Sequence, residues 1–115
     1  MKLVRDRIPQ IIEQTGKTPK CHQADLQEFI QRLGDKMKEE MQEFMEKPSI
    51  EEAGDMYEVL RCLCWLYRFD MEDVINAADL KRIDRGGFNR GIVLEEVEDP
   101  SIEDDWTTTS QGETV

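Results

Sequence analysis

The chain has 115 residues, 36% charged and 38% hydrophobic, with a net charge of −11, three cysteines and one histidine. This is one domain's length, and it excludes a disulfide-built scaffold, any site needing two histidines, and a membrane span of ~20 consecutive apolar residues. So acidic a net charge also argues against a DNA or RNA polymer as the ligand, since phosphate neutralisation needs a basic face.

Met1 leads directly into Lys2, Arg5, Asp6 and Arg7 with no apolar segment behind them. No signal peptide is expected, and the thiols are expected to stay reduced in a cytoplasmic protein. Asp6 precedes a short helix near residues 7–15, with Pro9 in its first turn and Gly16 at its end. Thr18-Pro19-Lys20 reads as a loop. A long second helix starts near Asp25 and runs to about Lys47, and Lys47-Pro48-Ser49 is a tight connector. Ser49-Ile50-Glu51-Glu52 is a capping-box pattern opening a third helix to about Phe69. Asp70 caps a fourth helix, stopped by Gly86-Gly87. Residues 91–98 read as a short extended segment or a last helical turn. Residues 95–115 hold eight acids and no Lys or Arg, which leaves residues 1–94 at a net −3. A disordered acidic tail is therefore expected from Asp99, with Trp106 the one candidate anchor.

These elements predict an all-α fold, an antiparallel bundle of four main helices over residues 1–98, followed by the tail 99–115. The short connector makes the second and third helices antiparallel neighbours. The second carries one apolar stripe: Leu26, Phe29, Ile30, Leu33, Met37, Met41 and Phe44. The third is apolar almost all round from Val59 to Leu66, as a central or subunit-interface helix would be. A homodimer or homotetramer is expected for that reason.

Most helical glutamates are solvated, but Glu40 is misplaced for that role. It follows Leu33 by one heptad, so it lies within roughly 20° of it on the wheel, inside the apolar stripe. Lys36 and Glu43 flank that stripe, and Glu39 lies further round the same side. An ionised carboxylate on a buried face needs a cation or strong hydrogen bonds. On the third helix, Glu52 and Asp55 share a face continued by Val59, Cys62 and Leu66. Glu52 also has a plain alternative role as the capping-box partner of Ser49. Four carboxylates near one helical turn, with no histidine, suit Mg²⁺ or Mn²⁺ rather than zinc.

The remaining residues have ordinary readings. His22 is solvated or structural. Cys62 and Cys64 are about 200° apart on a helix and do not share a metal. Met37, Met41, Met45 and Met56 read as core filler. Trp65 and Tyr67 read as core or interface, although they and Phe88 are candidate base-stacking residues.

Glu39-Glu40-Met41-Gln42-Glu43 followed by Glu52-Ala53-Gly54-Asp55 resembles the EExxE…ExxD signature of all-α nucleoside triphosphate pyrophosphohydrolases. These are the MazG-like and phosphoribosyl-ATP pyrophosphohydrolase-like proteins. Lys2-Leu3-Val4-Arg5-Asp6-Arg7-Ile8-Pro9 resembles the opening block of the latter branch. Arg85-Gly86-Gly87-Phe88 resembles the block after its last helix, and Ile92-Val93-Leu94-Glu95-Glu96 the segment beyond. The resemblance implies Mg²⁺-dependent cleavage between the α- and β-phosphates of a nucleotide, giving monophosphate and pyrophosphate. It implies Glu40, Glu43, Glu52 and Asp55 as metal ligands, and Glu39 as a second-metal ligand or water-activating base. Lys36, Lys81 and Arg85 match phosphate-binding cations. Two departures stand out: only eight residues separate Glu43 from Glu52, and Gly54 replaces the usual Ala before Asp55. The alternatives are a non-catalytic nucleotide-sequestering bundle and hydrolysis of phosphoribosyl-ATP itself.

Overall fold

The computed structural model describes residues 1–99. Among them are four α-helices and no strand: α1 (Ile8–Gln14), α2 (Leu26–Glu46), α3 (Ile50–Leu66) and α4 (Met71–Arg85). The all-α class and each helix follow the sequence to within a few residues. The expected tail after Asp99, Trp106 included, lies outside the described residues.

Local chemistry sets the helix ends. Asp25 caps α2 by accepting a hydrogen bond from the Glu28 amide at 2.8 Å, and Ser49 caps α3 by accepting from the Glu52 amide at 3.0 Å. Asp70 accepts from the Glu72 amide at 2.9 Å ahead of α4. The start of α1 differs: Arg7 occupies the N-cap position and no side chain caps it. The end of α3 also differs, because the helix stops at Leu66 rather than Phe69. Arg68 turns to φ +61°, and the amides of Arg68 and Phe69 donate back to the carbonyls of Trp65 and Cys64. That is a Schellman closure with arginine where glycine is usual. Residues 91–98, expected as a short extended segment or a last helical turn, form neither helix nor strand.

The chain divides into two compact units, Met1–Ala78 and a second from Asp79 onward, with the break inside α4. In the first unit α2 packs on α3, as the three-residue connector between them dictates. Among the described residues, Leu33 of α2 and Val59 and Cys64 of α3 are the buried apolar residues, and Glu40 is the buried charged one. Cys62, Leu63 and Leu66 are half-buried. One expectation fails here. Met41 and Met45 are exposed rather than core filler, because they lie about 100° and about 140° round α2 from the buried Glu40. Trp65 is 65% exposed, so the all-round apolar α3 is only partly covered within one chain. Neither α1 nor α4 contributes a buried residue. No helix among the described residues is long and apolar enough to cross a membrane.

Candidate metal centre

The tight turn between α2 and α3 sets the last two turns of one helix beside the first turns of the other. One carboxylate oxygen each from Glu40, Glu52 and Asp55 lies within 4.8 Å of the others, and Glu39, Glu40 and Glu43 form a second such group. Glu40 belongs to both. It is only 5% exposed, and its Oε2 is buried without a hydrogen-bond partner. The Oε2 of Glu52 is buried in the same way. Glu52 engages its two neighbours through different atoms. Its backbone amide completes the Ser49 cap, and its carboxylate turns inward to α2.

Two ionised carboxylates have only acceptors to offer each other, so these oxygens stay unsatisfied unless a proton or a cation lies between them. Burial pushes the Glu52 carboxyl up to about 7, with the negative charge of Glu43 and side-chain hydrogen bonding to Glu40 and Glu43 acting in the same direction. Glu40 is also raised, first by burial and then by the charges of Glu43 and Asp55. Glu39 goes the other way, because the Lys36 ammonium donates to its Oε1 at 2.8 Å. The same ammonium stands 3.7 Å from Glu40 Oε1. Among the expected phosphate-binding cations, Lys36 is thus engaged with carboxylates. Lys81 and Arg85 lie on α4 in the second unit, while every acid of the cluster belongs to the first.

The donor set consists of carboxylate oxygens alone, with two orphaned buried atoms and no histidine or thiol beside them. That chemistry fits a hard divalent cation such as Mg²⁺ or Mn²⁺ better than zinc. Such an ion could be held by Glu40, Glu52 and Asp55, with the exposed Glu43 at the rim.

One residue was not legible as part of this site. Arg5 donates from Nη2 to Asp55 Oδ1 at 2.6 Å, although the two are fifty positions apart and no helical spacing links them. The aromatic candidates lie elsewhere. At 1.5 Å per residue, Trp65 is about 20 Å along α3 from Glu52. With Leu26 and Phe69 it lines a separate open groove of about 740 Å³. Tyr67 stacks on Phe69, with ring centroids 5.9 Å apart. Phe88 lies in the second unit and is exposed. His22 sits 3.0 Å from Glu28 at the start of α2, a structural pairing. No family model matches the chain, and no curated protein or solved structure matches it either.

Proposed function

We propose that this chain is a Mg²⁺-dependent nucleoside triphosphate pyrophosphohydrolase that cleaves between the α- and β-phosphates, releasing nucleoside monophosphate and pyrophosphate. The observation that supports this most is the buried Glu40, which has one oxygen without a hydrogen-bond partner and is grouped with two carboxylates of α3. A fold gains no stability from gathering like charges on a buried face, so the arrangement argues for a cation and for chemistry that needs one. In this reading the chain is of the MazG-like kind, and its helices complete a bundle as a homodimer or homotetramer in the cytoplasm. Its substrate is a free nucleotide rather than a nucleic-acid polymer or a membrane lipid.

The division of labour follows from the electrostatics. Glu40, Glu52 and Asp55 bind the ion, and Glu43 completes the set from the rim. The chemistry that Mg²⁺ would supply there is neutralisation of charge between the acidic site and the polyphosphate and a lower pKa for coordinated water. Lys36 keeps Glu39 ionised, so Glu39 is a hydrogen-bond acceptor that can orient an incoming water. Glu52 and Glu40 would hold an ion only as carboxylates, so the raised proton affinity of both would oppose metal binding at low pH.

Incubation with Mg²⁺ and a panel of nucleoside triphosphates, plus phosphoribosyl-ATP, checks this by assay of monophosphate and pyrophosphate together. Paired release of the two products from a nucleoside triphosphate is the expected result. Metal-dependent nucleotide binding without product would instead establish a sequestering protein. Product from phosphoribosyl-ATP alone would establish that narrower activity.

A further inference from the structure

The segment ahead of α1 lies along the carboxylate row and carries a cation at each end. At one end, Arg5 is hydrogen-bonded to Asp55 at 2.6 Å. At the other, Lys2 lines a cavity of about 60 Å³ together with Lys36 and Glu39. Arg32 of α2 ties the segment down by donating to the Met1 carbonyl at 3.3 Å. Arg5 is the informative member. It lies 60% exposed at the rim, and among the described residues its one hydrogen-bond partner is Asp55. A guanidinium has five N–H donors in a planar fork, so most of its capacity remains available to a second acceptor. An ion pair this exposed adds little to stability, so stability alone accounts poorly for a cation at this place.

We propose that Arg5 is a phosphate-binding residue of the carboxylate site, holding a phosphate group of a metal-bound pyrophosphate or nucleoside triphosphate. The inference rests on the metal-centre reading above. With no divalent ion present, Arg5 serves as the counter-charge of Asp55. Once a divalent ion takes over that task, the anion brought with it becomes the natural partner of the fork, whose geometry matches two phosphate oxygens. Lys2 and Lys36 extend the same positive edge towards Glu39.

Titration calorimetry on the full chain separates this role from a structural one. The probes are Mg²⁺ alone, then inorganic pyrophosphate at saturating Mg²⁺, for wild type, Arg5→Gln and Arg5→Lys. In Arg5→Gln, Mg²⁺ alone should bind as well as in wild type or better, since a competing cation is gone. Pyrophosphate should bind about tenfold more weakly or worse. Arg5→Lys should fall between, because it keeps the charge and loses the fork. It also carries the comparison if Arg5→Gln does not fold. Equal weakening of Mg²⁺ and pyrophosphate would overturn the proposal and make Arg5 a prop for Asp55. Unchanged pyrophosphate affinity would overturn it outright. Wild type that binds Mg²⁺-pyrophosphate through Arg5 but hydrolyses no nucleotide would overturn the pyrophosphohydrolase reading and uphold this one. Turnover with an Arg5→Gln KM equal to wild type would do the reverse.

Discussion

Glu40 of α2 and Glu52 of α3 each bury one carboxylate oxygen with no hydrogen-bond donor, and the two side chains meet at the same point as Asp55. Buried acceptors without donors cost free energy, and like charges in contact cost more. In the ion-free chain one proton relieves part of that cost, which is why the Glu52 carboxyl rises to about 7. A divalent cation would relieve more of it. Proton and metal therefore compete for one place, and the competition can be measured.

The first prediction is a stability profile. Glu52 holds its proton more tightly in the folded chain than its ordinary value of 4.5 allows. Its contribution is thus fully present below 4.5 and is lost as the pH rises through about 7. Glu40 acts in the same direction. Glu28, Glu39 and Glu58 are lowered by their cationic partners and act oppositely, losing stability as the pH falls. The comparison that isolates Glu52 is wild type against Glu52→Gln without Mg²⁺. The melting temperature of wild type relative to the variant should decline between pH 4.5 and pH 7. With Mg²⁺ present, wild type should be the more stable at pH 8, and its apparent Mg²⁺ affinity should fall as the pH drops below 7. A relative melting curve flat in pH would show that the carboxylates are not sharing a proton.

How much of this was legible in the sequence depends on whether the signal was local. Asp25, Ser49 and Asp70 announce helix starts by side-chain chemistry within three residues, and α2, α3 and α4 begin where they indicate. Glu40 was legible because the helical period set it near Leu33, and both are buried. The meeting of Glu40 with Glu52 and Asp55 followed from a connector too short to permit any other neighbour. Arg5 on Asp55 is a long-range contact governed by how an irregular segment lies, and no period describes that. The early end of α3 was missed because the Schellman closure there uses Arg68 at φ +61°, a conformation signalled in sequence by glycine. The helical period puts Met41 at the edge of the apolar stripe and residue type alone makes Met45 core filler, whereas both are exposed.

That closure gives a second prediction. A non-glycine residue in the left-handed region costs roughly 1–2 kcal/mol relative to right-handed backbone. Arg68 is exposed, so its side chain forfeits little on removal. Arg68→Gly should stabilise the chain by ~0.5–1 kcal/mol, raising its melting temperature by several degrees. Arg68→Val should lower it, because a β-branched residue tolerates positive φ worst. Equal melts for the two variants would mean that α3 does not close in this way in solution.

A third concerns assembly. Trp65, Tyr67 and Phe69 are exposed together at the end of α3, beside the apolar Leu26. Contiguous aromatic exposure of this kind marks contact surfaces, and a stable dimer commonly buries ~1,200–2,000 Å². Sedimentation at micromolar concentration should give a dimer or tetramer. Trp65→Lys should shift the chain towards monomer while helical content is retained. A wild-type monomer at that concentration would refute the assembly.

The fourth separates the two tasks of the α3 start. Ser49 caps the helix through the Glu52 amide, whereas the Glu52 carboxylate faces α2. Cap and carboxylate should therefore fail independently. Ser49→Ala removes the hydroxyl acceptor, costs about 1 kcal/mol and should lower the melting temperature by a few degrees. Its Mg²⁺-induced stabilisation and turnover should match wild type once the fold is intact. Asp55→Asn and Glu40→Gln leave every cap in place and remove one negative charge each from the cluster. Without Mg²⁺, their melts should hold or rise, because fewer like charges repel. Arg5 loses its partner in Asp55→Asn, an exposed pair whose absence costs little. With Mg²⁺, the stabilisation seen in wild type should vanish and pyrophosphate release should drop by orders of magnitude. If Ser49→Ala abolished metal response while Asp55→Asn and Glu40→Gln kept it, the carboxylates would be packing and capping groups, and the metal centre would have to be sought elsewhere.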